Sequence, residues 1–288
     1  MTKTASKKII SVLENAGCSI KSLIKLAIKS KSSTISTVAT SADSMIIMGN
    51  GPSLNETIAQ YGSLLREIPT LAVNFAANAP QFRDLFPRYY LLADPHFFVN
   101  VSDANVAKLK DNLMAVDWQI TLFLPFEARK YGFAIENPYI KIEYFNFLAV
   151  EGYEWLENWA YSSGRGMPRP RNVLIPSIMV AMKMGYGNIY ITGADHSWTK
   201  TLSVNENNEV VSIQPHFYKE DEKEEQRIKV DYLKYPLHQI IHSFYVAFKS
   251  YHSIQRYAMH KGVNIYNSTP GSFIDAFTRR SLSECKKY

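Results

Sequence analysis

The chain has 288 residues, a hydrophobic share of 46%, 15 Phe and 18 Tyr, which excludes a mainly disordered protein and suits one large domain with a sizeable core. Its formal net charge is +6 and its pI about 9.1, but no zinc-finger, RNA-binding or helix-turn-helix signature accompanies that charge, so nucleic acid is not an expected partner. Cys18 and Cys285, the two cysteines, can build neither a disulfide framework nor a zinc site and read as free thiols.

The first 44 residues differ from the rest. Ile9, Ile10, Val12, Leu13, Ile20, Leu23, Ile24, Ala27 and Ile28 recur at helical spacing, interleaved with Lys3, Lys7, Lys8, Lys21, Lys25, Lys29 and Lys31. Residues 1–31 therefore read either as a basic helix lying on an anionic membrane face or as a helix packed on its own domain or a second subunit of a homo-oligomer. The lack of an aromatic anchor favours packing. Lys31 to Ser44 is rich in Ser and Thr and reads as a linker. There is no secretory h-region and no apolar run near the roughly 20 residues of a spanning helix. The expected location is the cytoplasm, at most peripheral to the inner membrane face.

A catalytic domain is expected over residues 45–278. Met45 to Met48 is a short apolar run that suits a buried parallel strand, and a turn at 49–53 leads into a helix over 54–66. Further strands are predicted at 69–74, 89–94, 119–124, 140–145, 188–192 and 263–266, with helices over 173–184 and 236–261. Lys219 to Lys229 (KEDEKEEQRIK) reads as a charged insertion or lid. Residues 279–288 form a basic tail containing Arg279, Arg280, Lys286 and Lys287. Strands alternating with helices predict an α/β, Rossmann-like parallel sheet flanked by helices, with a small lid.

Ligands of such sheets bind beyond the carboxyl ends of the strands. Four ends here are small or polar: Gly49-Asn50, Asn74, Asp94 and Gly193-Ala194-Asp195. The loop Gly49-Asn50-Gly51-Pro52-Ser53-Leu54 has the glycines that let backbone N–H groups approach a phosphate, and Ser53 is placed to cap the helix that follows. It lacks the Lys of a Walker loop and the third Gly of a dinucleotide fingerprint, which disfavours ATP hydrolysis and NAD binding. The alternative is a plain turn before a capped helix. Asn74 and Asp94 suit a base or ribose, or else cap the next turn. Asp195 suits binding of a ribose or a metal and His196 the role of a base; the alternative is a plain turn with Trp198 packed as a lid on the core. His238 and His242 share a helical face, and His252 follows. Each of these histidines is a candidate base or a packing residue, and no zincin Glu follows His238.

MIIMGNGPSL (45–54), AVNFAA (72–77) and MKMGYGNIYITGAD (182–195) resemble the bacterial sialyltransferases of glycosyltransferase family 42. They also resemble the wider group holding the flagellar motility-accessory glycosyltransferases and the archaeal hydroxymethylpterin pyrophosphokinase-like proteins. The resemblance covers residues 45–100 and 170–275. It implies a single-sheet, GT-A-like variant of a glycosyltransferase fold that moves a sialic-acid-like sugar, with inversion, from a CMP-linked donor to a glycan hydroxyl. It implies no required cofactor or metal. Asn50 would contact donor phosphate or ribose, with Gly49, Gly51 and Ser53 shaping the loop and Asn74 contacting the nucleotide. Asp94 stands where the sialyltransferases carry an asparagine, Gly193 matches a backbone position that would lie beside the cytosine or ribose, and Arg171-Asn172 is the nearest equivalent of the family's Arg-Ile-Thr-Ser-type segment, which is altered here. His242-Ser243 matches the family's catalytic histidine, with His196 as the competing base. Ser197 and Trp198 stand near the family's paired tyrosines, whose role would pass to Tyr218, Tyr232 or Tyr235.

The expected function is glycosyl transfer in surface polysaccharide or lipooligosaccharide synthesis. One alternative is an ATP- and Mg-dependent pyrophosphokinase of a pterin-like alcohol, with Asp94 and Asp195 as metal-linked carboxylates. Another is a non-catalytic nucleotide-binding or membrane-scaffold module.

Overall fold

The computed structural model describes residues 2–38, 43–100, 102–212 and 234–285. The charged run 219–229, Tyr218, Tyr232, Lys286 and Lys287 lie outside the described residues.

Eight strands form one sheet: β1 (Ser44–Met48), β2 (Thr70–Val73), β3 (Tyr89–Leu91), β4 (Ile120–Pro125), β5 (Ile140–Phe145), β6 (Asn188–Thr192), β9 (Asn264–Asn267) and β10 (Thr278–Arg279). Their order is β10-β9-β6-β1-β2-β3-β4-β5, and every pairing is parallel. Between β6 and β9 a two-stranded antiparallel hairpin is set apart from this sheet, made of β7 (Ser203–Val204) and β8 (Val210–Val211). The α/β Rossmann-like expectation matches this architecture.

Both faces of the sheet are covered, and the strand period of two shows it. Met45 and Ile47 of β1, Leu71 and Val73 of β2, and Ile189 and Ile191 of β6 join one apolar cluster. Their neighbours Ile46, Met48, Ala72 and Tyr190 join the other. The first cluster is covered by α6 (Glu154–Ser162), α7 (Leu174–Met184) and α8 (Leu237–Lys261); the second is covered by α2 (Leu54–Glu67), α3 (Phe82–Leu85), α4 (His96–Val99) and α5 (Ala104–Met114). The long α1 (Thr2–Lys29) docks at the β5 side. No helix of the described residues is long and apolar enough to cross a membrane.

The stretch expected to be a linker is docked along the domain as far as Val38. Lys31 N–H donates to Asn146 Oδ1 (2.9 Å), and Asn146 Nδ2 returns a bond to Lys31 O (2.8 Å). Thr34 exchanges bonds with Tyr144 of edge strand β5, its Oγ1 accepting from Tyr144 N–H at 2.7 Å. Val38 N–H reaches Met184 O at 3.0 Å. The physical reason is that β5 is an edge whose polar groups need partners, and a Ser/Thr-rich irregular segment supplies them.

Glu143 anchors this strap. Its carboxylate accepts from Ser36 N–H (3.0 Å) and Ser36 Oγ (2.9 Å), with Lys141 Nζ at 2.6 Å. Burial pushes its pKa up, but the bonds from Lys141 and Ser36 outweigh that and hold it below the usual carboxylate value. A carboxylate lowered on folding contributes stability at pH above its unfolded pKa. That stability is lost as pH falls through the folded value. Glu143→Ala should therefore cost about 1–3 kcal/mol at neutral pH in urea unfolding, with a smaller difference in acid. An unchanged midpoint at neutral pH would show that the strap is not anchored there.

Candidate active site at the switch point of the sheet

Strand order reverses between β1 and β6. From β1 the chain steps outward to β2, and from β6 it steps the other way to β9. At such a point the loops leaving the two strands diverge and open a crevice at their carboxyl ends. Those loops are Gly49–Ser53 and Gly193–Trp198.

The two loops are locked to each other. Gly49 N–H donates to Thr192 O and Gly51 N–H to Gly193 O, both at 2.8 Å. A Cβ on Gly49 would lie 2.4 Å from Gly193 O, and one on Gly193 would lie 2.5 Å from Gly49 O. Gly193 also has φ +64, in the left-handed region that favours glycine. The glycines thus serve backbone-to-backbone approach between β1 and β6. Their N–H groups are already committed, so they do not supply the phosphate cradle expected of them. The N–H groups of Asn50 and Ser53, which no backbone carbonyl engages among the described residues, and the start of α2 are what the loop offers an anion.

Ser53 does not cap α2. Its hydroxyl donates to Asp195 Oδ2 at 2.8 Å, and it makes no side-chain cap bond. The carboxylate is the stronger acceptor, so the serine ties β1's loop to β6's loop instead. Below this tie, Thr57 and Thr192 share a buried hydroxyl–hydroxyl bond of 2.8 Å.

Three asparagines at this edge carry a buried amide atom without a partner among the described residues: Asn50 Oδ1, Asn74 Oδ1 and Asn172 Nδ2. The orientation of two of them is fixed by their other ends. Asn50 Nδ2 donates to Val73 O at 3.1 Å, so its oxygen is the unpaired atom. Asn172 Oδ1 accepts from Leu174 N–H at 3.0 Å, so its nitrogen is the unpaired atom. Asn74 sits at the end of β2 with φ 49, an uncommon value outside glycine, and its carbonyl accepts from the Tyr90 hydroxyl. Buried polar atoms are almost always paired in folded proteins. Unpaired acceptors and a donor around a switch-point crevice are groups that a ligand can satisfy.

A hydrogen-bonded chain leads away from Asn172. Because Asn172 Oδ1 is an acceptor, the Tyr251 hydroxyl must donate to it (2.9 Å). The Tyr251 oxygen then accepts from His196 Nε2–H at 2.7 Å. That order fixes the histidine tautomer and leaves Nδ1 as the lone-pair nitrogen. His196 has φ 51, and its ring lies 4.1 Å from that of Trp198. Burial pushes its pKa down to about 3, so the ring is neutral at physiological pH. Burial also raises the Tyr251 hydroxyl above its usual range, although the bond to Asn172 acts the other way. Trp198 stacks towards Phe244 at 5.3 Å, inside a small cluster with Val210 and Ile240, which is the packing role weighed for it.

The remaining candidates lie elsewhere. Asp94 is exposed and accepts from His96 N–H (2.9 Å), so it closes its own turn. His238 and His242 are exposed on α8. His242 lies on the face opposite Phe244 and Tyr251, with the Tyr245 ring at 6.2 Å. His252 faces Asp275 at 3.2 Å, and Tyr235 and Arg171 are exposed. The sequence reading missed Tyr251. Its spacing with Phe244 and Phe248 marks an inward helix face, but nothing in the sequence marks this one of 18 tyrosines as the link between Asn172 and His196.

No family model matches the chain, and no curated protein does. Among solved structures it is similar in fold to the MAf glycosyltransferase from Magnetospirillum magneticum AMB-1. The match has a TM-score of 0.51 at 13% identity and covers 95% of this chain and 39% of that one. The chain thus spans well under half of that protein's length, and the likeness concerns the fold.

Proposed function

We propose that the chain is a glycosyltransferase that holds a nucleotide-activated sugar in the β1–β6 crevice. The donor is a CMP-linked, sialic-acid-like nonulosonate and the acceptor a glycan hydroxyl, in surface polysaccharide or lipooligosaccharide synthesis. The observation that carries this reading is the set of unpaired buried amide atoms of Asn50, Asn74 and Asn172 at the switch point. A ribose and a pyrimidine base present the matching donors and acceptors. The fold shared with a solved glycosyltransferase supports the same class.

On this reading the Asn50 and Ser53 N–H groups and the positive end of α2 offset charge on the departing phosphate, and no cofactor or metal is required. Inversion follows if the acceptor oxygen attacks opposite that phosphate. We assign the proton-accepting role to His196 Nδ1 in preference to His242. His196 stands in the loop that follows β6, and the Tyr251–Asn172 chain holds its ring in the accepting tautomer. Burial alone keeps that nitrogen weakly basic. A donor phosphate alongside raises its basicity, because a nearby negative charge favours the protonated ring.

The test is CMP release from a CMP-nonulosonate with a glycan acceptor in EDTA. Wild-type turnover is expected, His196→Asn should lose about 100-fold or more, and His242→Ala should stay within about threefold of wild type. The reverse ranking of the two variants would return the base to His242. Turnover seen only with ATP and Mg²⁺ on a pterin-like alcohol would overturn the transferase.

A further inference from the structure

α1 presents the wrong face outward for a helix that simply covers its domain. Such a helix buries its apolar stripe and exposes its polar side. Here the docked residues are Ser19, Ser22 and Leu26. Ser22 Oγ bonds Glu151 O (2.7 Å) and accepts from Glu151 N–H (3.0 Å), while Ser19 Oγ accepts from Tyr153 N–H (2.9 Å). The fit is close, since a Cβ on Gly152 would lie 2.2 Å from Ser19 Oγ. The apolar stripe of Ile9, Leu13, Ile20, Ile24 and Ile28 points away from the domain, each residue between 55% and 75% exposed.

Charge and aromatic content say what covers that stripe. Lys21, Lys25 and Lys29 follow one another at four-residue steps and form a row beside it. Residues 1–31 contain seven lysines and one acidic residue, Glu14. An aromatic anchor, missing from the helix itself, is supplied by the fold. α6 begins immediately after Tyr153, which is bonded to α1 both at Ser19 and, through its hydroxyl, at Val12 O (3.1 Å). On α6, Trp155 and Trp159 are one turn apart and 63% and 50% exposed. Apolar stripe, lysine row and paired tryptophans are the elements of a helix lying in the plane of an anionic lipid surface. Pairing with a second copy would double the positive charge along the seam, whereas anionic headgroups neutralise it.

We propose that α1, with Trp155 and Trp159, is a docking surface for an anionic membrane, on which the protein lies without spanning it. The proposal is independent of the reaction at the crevice. The full-length protein should co-sediment with phosphatidylcholine vesicles containing phosphatidylglycerol and not with phosphatidylcholine alone, and the bound fraction should fall in high salt. A triple variant, Leu13→Ser with Ile20→Ser and Ile24→Ser, leaves Ser19, Ser22 and Leu26 in place. It should bind about tenfold more weakly or worse while melting at the wild-type temperature. Tryptophan emission should shift to the blue with vesicles in the wild type and less in Trp155→Ala with Trp159→Ala. Equal binding to both vesicle types, or a triple variant that still binds fully, would overturn the proposal. So would a dimer in light scattering that the triple variant splits while wild type ignores vesicles, which would assign the face to a second copy.

Discussion

Gly49→Ala and Gly51→Ala are expected to be strongly destabilising, and on the proposed function they remove nucleotide binding as well. A methyl at Gly49 meets backbone, Gly193 O at 2.4 Å and Gly193 C at 3.0 Å, which cannot rotate away. A methyl at Gly51 meets Asp195 Oδ2 at 1.9 Å and Gly193 O at 2.8 Å, so it also breaks the Ser53–Asp195 tie. Overpacking typically costs about 1–3 kcal/mol, and a clash against backbone at a sheet's central pairing belongs at the top of that range or above it. In chains somewhat shorter than this one, each kcal/mol lowers the melting temperature by about 2–4 °C. The control is Gly17→Ala in α1, where nothing lies within 4 Å of the new methyl and the helix interior gains about 0.5–1 kcal/mol locally. Scanning calorimetry that finds Gly49→Ala as stable as Gly17→Ala would mean that the two loops are not locked together as described.

Tyr251→Phe is the second large effect, and it separates wiring from packing. The substitution keeps the ring among Phe277 and the inward face of α8 but removes the hydroxyl that joins Asn172 to His196. It removes the acceptor of His196 Nε2–H and leaves Asn172 Oδ1, among the described residues, with the bond from Leu174 N–H. An unsatisfied buried donor costs about 1–3 kcal/mol. Turnover should fall further than stability does, because the ring is then free to present either nitrogen. pH adds a second readout. His196 is lowered on folding to about 3 from an ordinary value of 6.5, so the unfolded chain binds the proton first. Stability is then full above the unfolded value and declines as pH drops from there towards 3. In His196→Asn this part of the acid-side loss should disappear. Identical pH–stability curves for wild type and His196→Asn would contradict the burial assigned to the ring.

Much of the fold was legible in the sequence because core parallel strands are buried on both faces. Met45–Met48 and Asn188–Thr192 stand out as apolar or β-prone runs closed by Gly, and no competing period obscures them. Asn50 and Asn74 were legible as polar residues at strand ends, whereas Asn172 came only through the family resemblance; all three carry an unpaired atom among the described residues. Three things were not legible. The Ser/Thr-rich stretch before β1 looks like any linker, since only the neighbouring edge of β5 shows that its hydroxyls have partners. A glycine loop reads the same whether its N–H groups face a ligand or another strand, and here Thr192 and Gly193 take two of them. Spacing places His242 on a helix but does not say which side of α8 faces the crevice. The inward positions belong to Phe244, Phe248 and Tyr251.

The central claim is that the unpaired amides of the β1–β6 crevice are a nucleotide site. The most direct measurement is a thermal-shift panel of CMP, CDP, UDP, GDP and ATP, each with and without Mg²⁺, on wild type and on Asn172→Ala. A ligand that binds only the folded chain stabilises it by about 2.7 kcal/mol at a hundredfold excess over its Kd. The prediction is a clear rise with CMP or CDP that needs no metal and shrinks in Asn172→Ala. No shift with any nucleotide, or a rise with ATP that requires Mg²⁺ and ignores Asn172, would contradict it.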